Sequence, residues 1–212
     1  MSKKSKNPLQ TNPAKERVAK KGKTIIHAAQ SDKLYWILLG IAILIFSYIR
    51  LRLSSMPLER DEGEYAYMGK LILDGLLPYK EAYNMKLPGA YFMYAFIEFF
   101  FGKNFQGIHT GLWMFNVITV VLLFISITKL FNPVIALLTA SVYGFMSLSL
   151  HFLGFAAHAT HFVALFVSLA LFFFAKYSDN KKWLYAGLTG VMFGMAFLMK
   201  QQAVFFILFG GL

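Results

Sequence analysis

The chain has 212 residues, of which 58% are hydrophobic, 17% aromatic and 15% charged. That balance excludes a disordered chain and is too apolar for an ordinary soluble domain, and several apolar runs approach the ~20 residues a membrane helix needs. The absence of cysteine excludes disulfides and thiolate metal sites.

The formal net charge of +11 is concentrated at the N-terminus, where nine of the 21 basic residues precede position 34 and only Glu16 and Asp32 oppose them. A basic tail can bind nucleic acid. Ahead of a membrane span it reads better as a cytoplasmic segment obeying the positive-inside bias, so no nucleic-acid partner is expected and the bilayer is. Residues 1–33 are read as this tail, mobile apart from a short helix near Ala14–Lys21. The first span, 34–53, is closed by Arg50 and Arg52, which are expected to snorkel to the interface. Its basic leader is too long for a signal peptide and Leu53-Ser54-Ser55-Met56 is a poor cleavage site, so the span reads as a retained anchor.

A polar loop follows, and then Pro88–Gly102, an apolar segment that is short for a span, opens with Pro88-Gly89 and carries Glu98. Charge bias decides its reading. If it does not cross, spans near 106–128, 133–148, 158–176 and 183–199 place Lys129 and the connector with Lys176, Lys181 and Lys182 on the side of the basic tail. If it crosses, both connectors fall outside. The expected architecture is therefore an all-α polytopic membrane protein, with 54–105 forming one long external loop bearing interfacial helices and 106–212 a transmembrane bundle. The last apolar run, Ala203–Leu212, is too short to cross as a helix, and the chain reads as cut off in mid-span.

The residues that could carry chemistry begin at Asp61, Glu62 and Glu64, three carboxylates just beyond the first span. Carboxylates beside a bilayer are costly and usually functional. Asp61 followed by Glu64 also matches a helix capping box, with Asp61 as N-cap, and Tyr65, Met68 and Ile72 then fall on one helix face. Glu81 and Lys86 are candidates for the same pocket, where a carboxylate pair could hold a divalent cation. His158 and His161, spaced i, i+3, share a helix face; a third metal ligand in register is missing, and a polar lining is the blander reading. His109 stands alone with no assignment. Lys200, at the end of an apolar helix beside two glutamines, either snorkels or neutralises a lipid phosphate.

Taken in order, Asp61-Glu62 with Tyr65-Ala66, then Gly75-Leu-Leu-Pro78-Tyr79-Lys80-Glu81, then Lys86-Leu87-Pro88-Gly89-Ala90-Tyr91, and finally Gly194 to Gln201 resemble the GT-C glycosyltransferases. The nearest branch comprises bacterial relatives of dolichyl-phosphate-mannose protein mannosyltransferases and of the lipid A aminoarabinose transferase. The resemblance implies an inner-membrane enzyme with a cytoplasmic N-terminus. It implies transfer of a sugar from a polyprenyl-phosphate donor to a hydroxyl-bearing lipid, glycan or protein on the non-cytoplasmic side, with inversion. Asp61 matches the family's acidic residue in the first external loop, a catalytic base or metal-site member, and Asp61 and Glu62 are the candidate catalytic residues. Lys86 matches its Lys-Pro lysine, and Lys86 and Lys200 become candidate donor-phosphate ligands. Glu64, Tyr65, Glu81, His158 and His161 are candidate pocket residues. Relatives often carry another carboxylate where this chain has His158-Ala-Thr160-His161, which moves that role to Glu81 or a histidine. The family is also usually more than twice this long, so the chain reads as an N-terminal portion.

The competing reading is a non-catalytic membrane subunit or binding protein in which Asp61 and Glu64 only cap a helix. A small transporter ranks last, because the spans offer few buried polar residues.

Overall fold

The computed structural model describes the backbone of residues 13–211 and the side chains of residues 33–210 other than Phe152; the first part of the basic tail lies outside the described residues. Within them every regular element is helical, and the protein is all-α. Helix α1 runs Pro13–Arg52, so the short helix expected near Ala14–Lys21 is the beginning of a helix continuous with the first span. Three helices follow, α2 (Arg60–Leu73), α3 (Pro78–Glu81) and α4 (Gly89–Phe101), and then α5 (Phe105–Leu130), α6 (Pro133–Met146), α7 (Ala159–Asn180), α8 (Trp183–Met199) and α9 (Val204–Gly211).

Lys33–Arg52, α5 and α7 are long and apolar enough to cross a membrane, and the protein is an integral membrane protein. Helices α6 and α8, expected as spans, have only 14 and 17 residues, or about 21 and 26 Å at 1.5 Å per residue. Asn132 and Pro133 start α6 abruptly, the Asn132 side chain accepting the Ile135 N–H, and α6 gives way at Ser147 to a short turn and a loop.

Helix α4 packs against α2, α5, α7 and α8. Tyr91, Tyr94 and Ile97 recur every three residues and are fully buried, whereas Phe92, Phe96, Phe99 and Phe100 on the other flank are exposed. Its buried face meets α2 at Gly69, where an added methyl would stand 2.8 Å from the Ala95 nitrogen. Its N-terminus meets α8 at Gly89, where a methyl would collide with the Leu198 carbonyl. Both close approaches need glycine. The resulting core joins Tyr65, Met68, Tyr91, Tyr94, Phe162 and Met199 from α2, α4, α7 and α8.

Arg50 does not snorkel. It is 2% exposed, and its Nη2 donates to the Ser147 carbonyl at 2.6 Å and the Gly154 carbonyl at 2.8 Å. The end of the first span thus pins the loop between α6 and α7 through Nη2, while the guanidinium lies against the Phe46 and Phe155 rings and its Nε and Nη1 are buried without an acceptor. The bundle is also less purely apolar than the sequence suggests: Asn116 accepts from the Tyr143 hydroxyl at 2.9 Å and lies 3.1 Å from His161 Nδ1, joining α5, α6 and α7.

Candidate active site

The local start of α2 settles which carboxylates are available. Glu59 is the N-cap: its side chain accepts the Asp61 N–H at 2.8 Å, and Glu62 reciprocates by accepting the Glu59 N–H at 2.8 Å. The capping box therefore lies two residues earlier than the Asp61–Glu64 pairing expected from spacing. A cap requires its third helical residue to point back along the chain, and Glu62 meets that need. Asp61 and Glu64 are left free of capping, which removes the footing of the reading in which they only cap a helix.

Both turn to Lys86. The ammonium stands 3.2 Å from Asp61 Oδ1 and 3.0 Å from Glu64 Oε1, and lies 4.6 Å above the centre of the Tyr65 ring. The loop carrying Lys86 is fastened from three directions. Asn84 Nδ2 donates to Glu64 at 2.6 Å, Asn84 Oδ1 accepts the Lys86 N–H at 2.9 Å, and the Tyr79 hydroxyl donates to the Lys86 carbonyl at 2.7 Å. At the N-cap of α7, His158 Nε2 lies 3.4 Å from Asp61 Oδ2, and its Nδ1 lies 3.2 Å from the Thr160 hydroxyl. Asp61, Tyr65, Lys86, His158 and Lys200, with Gln201 and Gln202, line one cavity of about 220 Å³.

The charges in this cavity tune one another. Partial burial pushes the Asp61 carboxyl up, but the hydrogen bond and charge of Lys86, with His158 and Arg60, hold it below the usual carboxylate range. Lys86 loses some preference for its charge through burial and more than regains it from Glu64, Tyr65 and Asp61, so its pKa is raised. Burial, then the charge of Lys200, lowers His158 despite Asp61 and favours the neutral imidazole. Burial lowers Lys200 as well, with Lys86 adding to the effect and Asp61 opposing it. A neutral base beside a fixed carboxylate, faced by two cations, suits an anionic substrate.

A second cavity, about 410 Å³ and almost wholly apolar, adjoins the first: Met199 lines both, and Gly89, Phe92, Met93, Phe115 and Leu165 continue it between α4, α5, α7 and α8.

Other candidates lie elsewhere. Glu62 is 1% exposed and turns away from the cavity toward His109 and Ala157. Glu81 is exposed beside Lys80 and lines neither cavity. His161 is buried against Asn116 and does not join His158 at the cavity. Among the described residues no three His, Cys, Asp or Glu side chains gather as for a metal. At the cavity the carboxylate of Asp61 and the imidazole of His158 are joined by the neutral oxygens of Tyr65, Gln201 and Gln202, and the Lys86 ammonium stands 3.2 Å from the carboxylate. A single lining carboxylate already paired with Lys86, faced by Lys200, is a poor fit for a divalent cation, which gathers several anionic oxygens. Sequence reasoning left His109 unassigned and did not single out Asn84 or Tyr94. Asn84, two residues before Lys86, had a local signal as a turn residue; His109 and Tyr94 had none, being brought in by contacts across the fold.

The model of the dolichyl-phosphate-mannose-protein mannosyltransferase family matches residues 86–210. No significant match is found among curated proteins or among solved structures. The matched stretch supplies Lys86, His158 and Lys200, while Asp61, Glu64 and Tyr65 come from the preceding segment, and the fold brings the two sets to one cavity. With more than half of its length matched, the chain belongs to the dolichyl-phosphate-mannose-protein mannosyltransferase family, membrane glycosyltransferases of the GT-C superfamily.

Proposed function

We propose that this site transfers a sugar from a polyprenyl-phosphate donor to a hydroxyl acceptor on the non-cytoplasmic side of the membrane, with Asp61 as general base. The observation that carries the reading is the adjacency, across Met199, of a cavity holding two lysines and a carboxylate and an apolar groove between α4, α5, α7 and α8. A polyprenyl phosphate has the matching division: a phosphate for Lys86 and Lys200, and a hydrocarbon chain for the groove.

In this reaction the acceptor oxygen forms a bond to the anomeric carbon as the bond from that carbon to the phosphate oxygen breaks. The electron pair of the broken bond leaves on polyprenyl phosphate, and the acceptor proton passes to Asp61. The phosphate is a good leaving group, so the protein chiefly supplies positioning, cationic stabilisation and a proton acceptor. Attack opposite the departing phosphate gives inversion. A base of low pKa suffices, because an acceptor hydroxyl becomes strongly acidic once its oxygen has begun to bond to an oxocarbenium-like carbon. Donor phosphate would compete with Asp61 and Glu64 for Lys86, and a carboxylate relieved of its ammonium is a stronger base. The acceptor is a lipid, a glycan or a protein hydroxyl.

Charge bias supports a cytoplasmic N-terminus with α2 to α4 on the opposite face, and the resemblance to bacterial relatives supports a bacterial inner membrane. The deciding experiment is Asp61→Asn in the full-length protein in native membranes supplied with polyprenyl-phosphate-linked mannose or aminoarabinose. Loss of transfer at unchanged membrane insertion is expected. Normal turnover would end the base assignment.

A further inference from the structure

We propose that Glu62 and His109 form a clamp that positions the His158 imidazole against the Asp61 carboxylate; the catalytic meaning of this rests on the transfer reaction proposed at Asp61. Glu62 is buried at 1% exposure and His109 at 5%. Glu62 Oε2 accepts the Glu59 N–H at 2.8 Å, and Oε1 accepts the Ala157 N–H. His109 Nε2 lies 3.1 Å from Glu62 Oε1, and its Nδ1 lies 2.8 Å from the Ser54 carbonyl. A carbonyl only accepts, so Nδ1 carries a proton. The facing carboxylate oxygen also needs a proton between it and Nε2. The ring and the Glu62 carboxyl group thus share one proton in a buried hydrogen bond.

This pair grips the residue before His158. Ala157 is fully buried; its N–H is held by Glu62 from α2, and its carbonyl accepts from the Tyr94 hydroxyl of α4 at 2.9 Å. Two consecutive carboxylates of α2 therefore meet two consecutive residues of the α7 start, Glu62 through the Ala157 backbone and Asp61 through the His158 ring. Because a helix fixes the offset between neighbours, holding Ala157 fixes how closely the His158 ring approaches Asp61. Glu62 does not line the Asp61 cavity but, with His109, a separate one of about 160 Å³, and acts as a positioning residue. The other groups facing His158 are Tyr65 on α2, with its ring 6.4 Å away, Lys86 before α4, Lys200 after α8, and Thr160 and His161 on α7.

The test reads the His158 ring itself. The full-length protein, labelled with ¹³C-histidine and held in lipid nanodiscs, is titrated by NMR, with His158→Gln identifying the signal. In the parent protein, Asp61→Asn is expected to weaken proton binding at His158 about threefold, through loss of the neighbouring carboxylate. In the Glu62→Gln background that response should largely vanish, and Glu62→Asp should restore part of it. A Glu62→Gln protein that keeps the full response, or loses thermal stability while His158 still responds to Asp61, overturns the clamp. Should Glu62→Gln not fold, His109→Gln is read in the same way and decides by the same two outcomes. Absence of sugar transfer in the parent protein would remove the transferase reading and leave the His158 titration as a valid measure of positioning.

Discussion

The cavity side of α2 and its buried side each carry a carboxylate beside a histidine, Asp61 with His158 and Glu62 with His109. The pairs use the same chemical groups within similar distances, 3.4 and 3.1 Å. They differ in what else the carboxylate holds. Glu62 is saturated: both its oxygens accept a backbone N–H in addition to its histidine contact, and its side chain is 2% exposed. Asp61 accepts no backbone N–H, is 20% exposed and is held by side chains that substrate could displace. A carboxylate whose lone pairs are committed and buried stabilises a fold, while one held by a movable ammonium at a cavity wall is available for chemistry. Type and position in sequence do not distinguish them.

The comparison can be broken most sharply at Asp61 itself. Asp61→Asn is expected to lower transfer by about 10²–10⁴-fold at unchanged expression and thermal stability. An equal loss of stability would make Asp61 a second structural carboxylate. Next is Lys86→Met, which removes the ammonium shared by Asp61 and Glu64 and, in the proposed reaction, by the donor phosphate. A loss of about 10²-fold in kcat/KM is expected in steady-state assays, and an unaltered value would leave the cation idle in the reaction.

The acid side of the pH profile sharpens the contrast further. His158 binds a proton less readily folded than unfolded, so its protonation opposes the folded site and gives Asp61 a competing cation. Stability and transfer should both fall as pH drops through the region below about 6.5, and His158→Gln should carry the activity limb to lower pH. A limb unmoved by that substitution would assign the titration to another group.

Away from the cavity, Arg50→Ala should cost roughly 2–4 kcal/mol in unfolding measurements, since it strands the Ser147 and Gly154 carbonyls that set the loop before His158. Smallest of all is Glu81→Gln, expected to change transfer less than about twofold because exposed charge pairs contribute little. A larger loss would bring Glu81 into the site after all. The topology is checked separately in this cysteine-free chain. A cysteine at Asn104 should react with an impermeant thiol reagent from outside and one at Asn180 should not; the reverse labelling would defeat the interfacial reading of α4.

Much was legible in the sequence. Apolar length marked α1, α5 and α7, because a bilayer demands long hydrophobic runs whatever their partners. Lys86, Lys200 and Asp61 stood out because charge is rare in this chain and therefore conspicuous. Tertiary structure alone decided which of three clustered carboxylates faces the cavity. The capping rule allows either Glu59–Glu62 or Asp61–Glu64, and the choice rests on where the helix begins once it is packed against α4. It also decided that Arg50 is a buried anchor, that His158 reaches Asp61 while His161 turns to Asn116, and that Glu81 stays outside. Length and polarity are local properties that a sequence carries openly. The partner of a buried charge lies 50 to 100 residues away in several cases, as for Arg50 with Ser147 and Glu62 with Ala157, and only the folded chain brings them within hydrogen-bond reach.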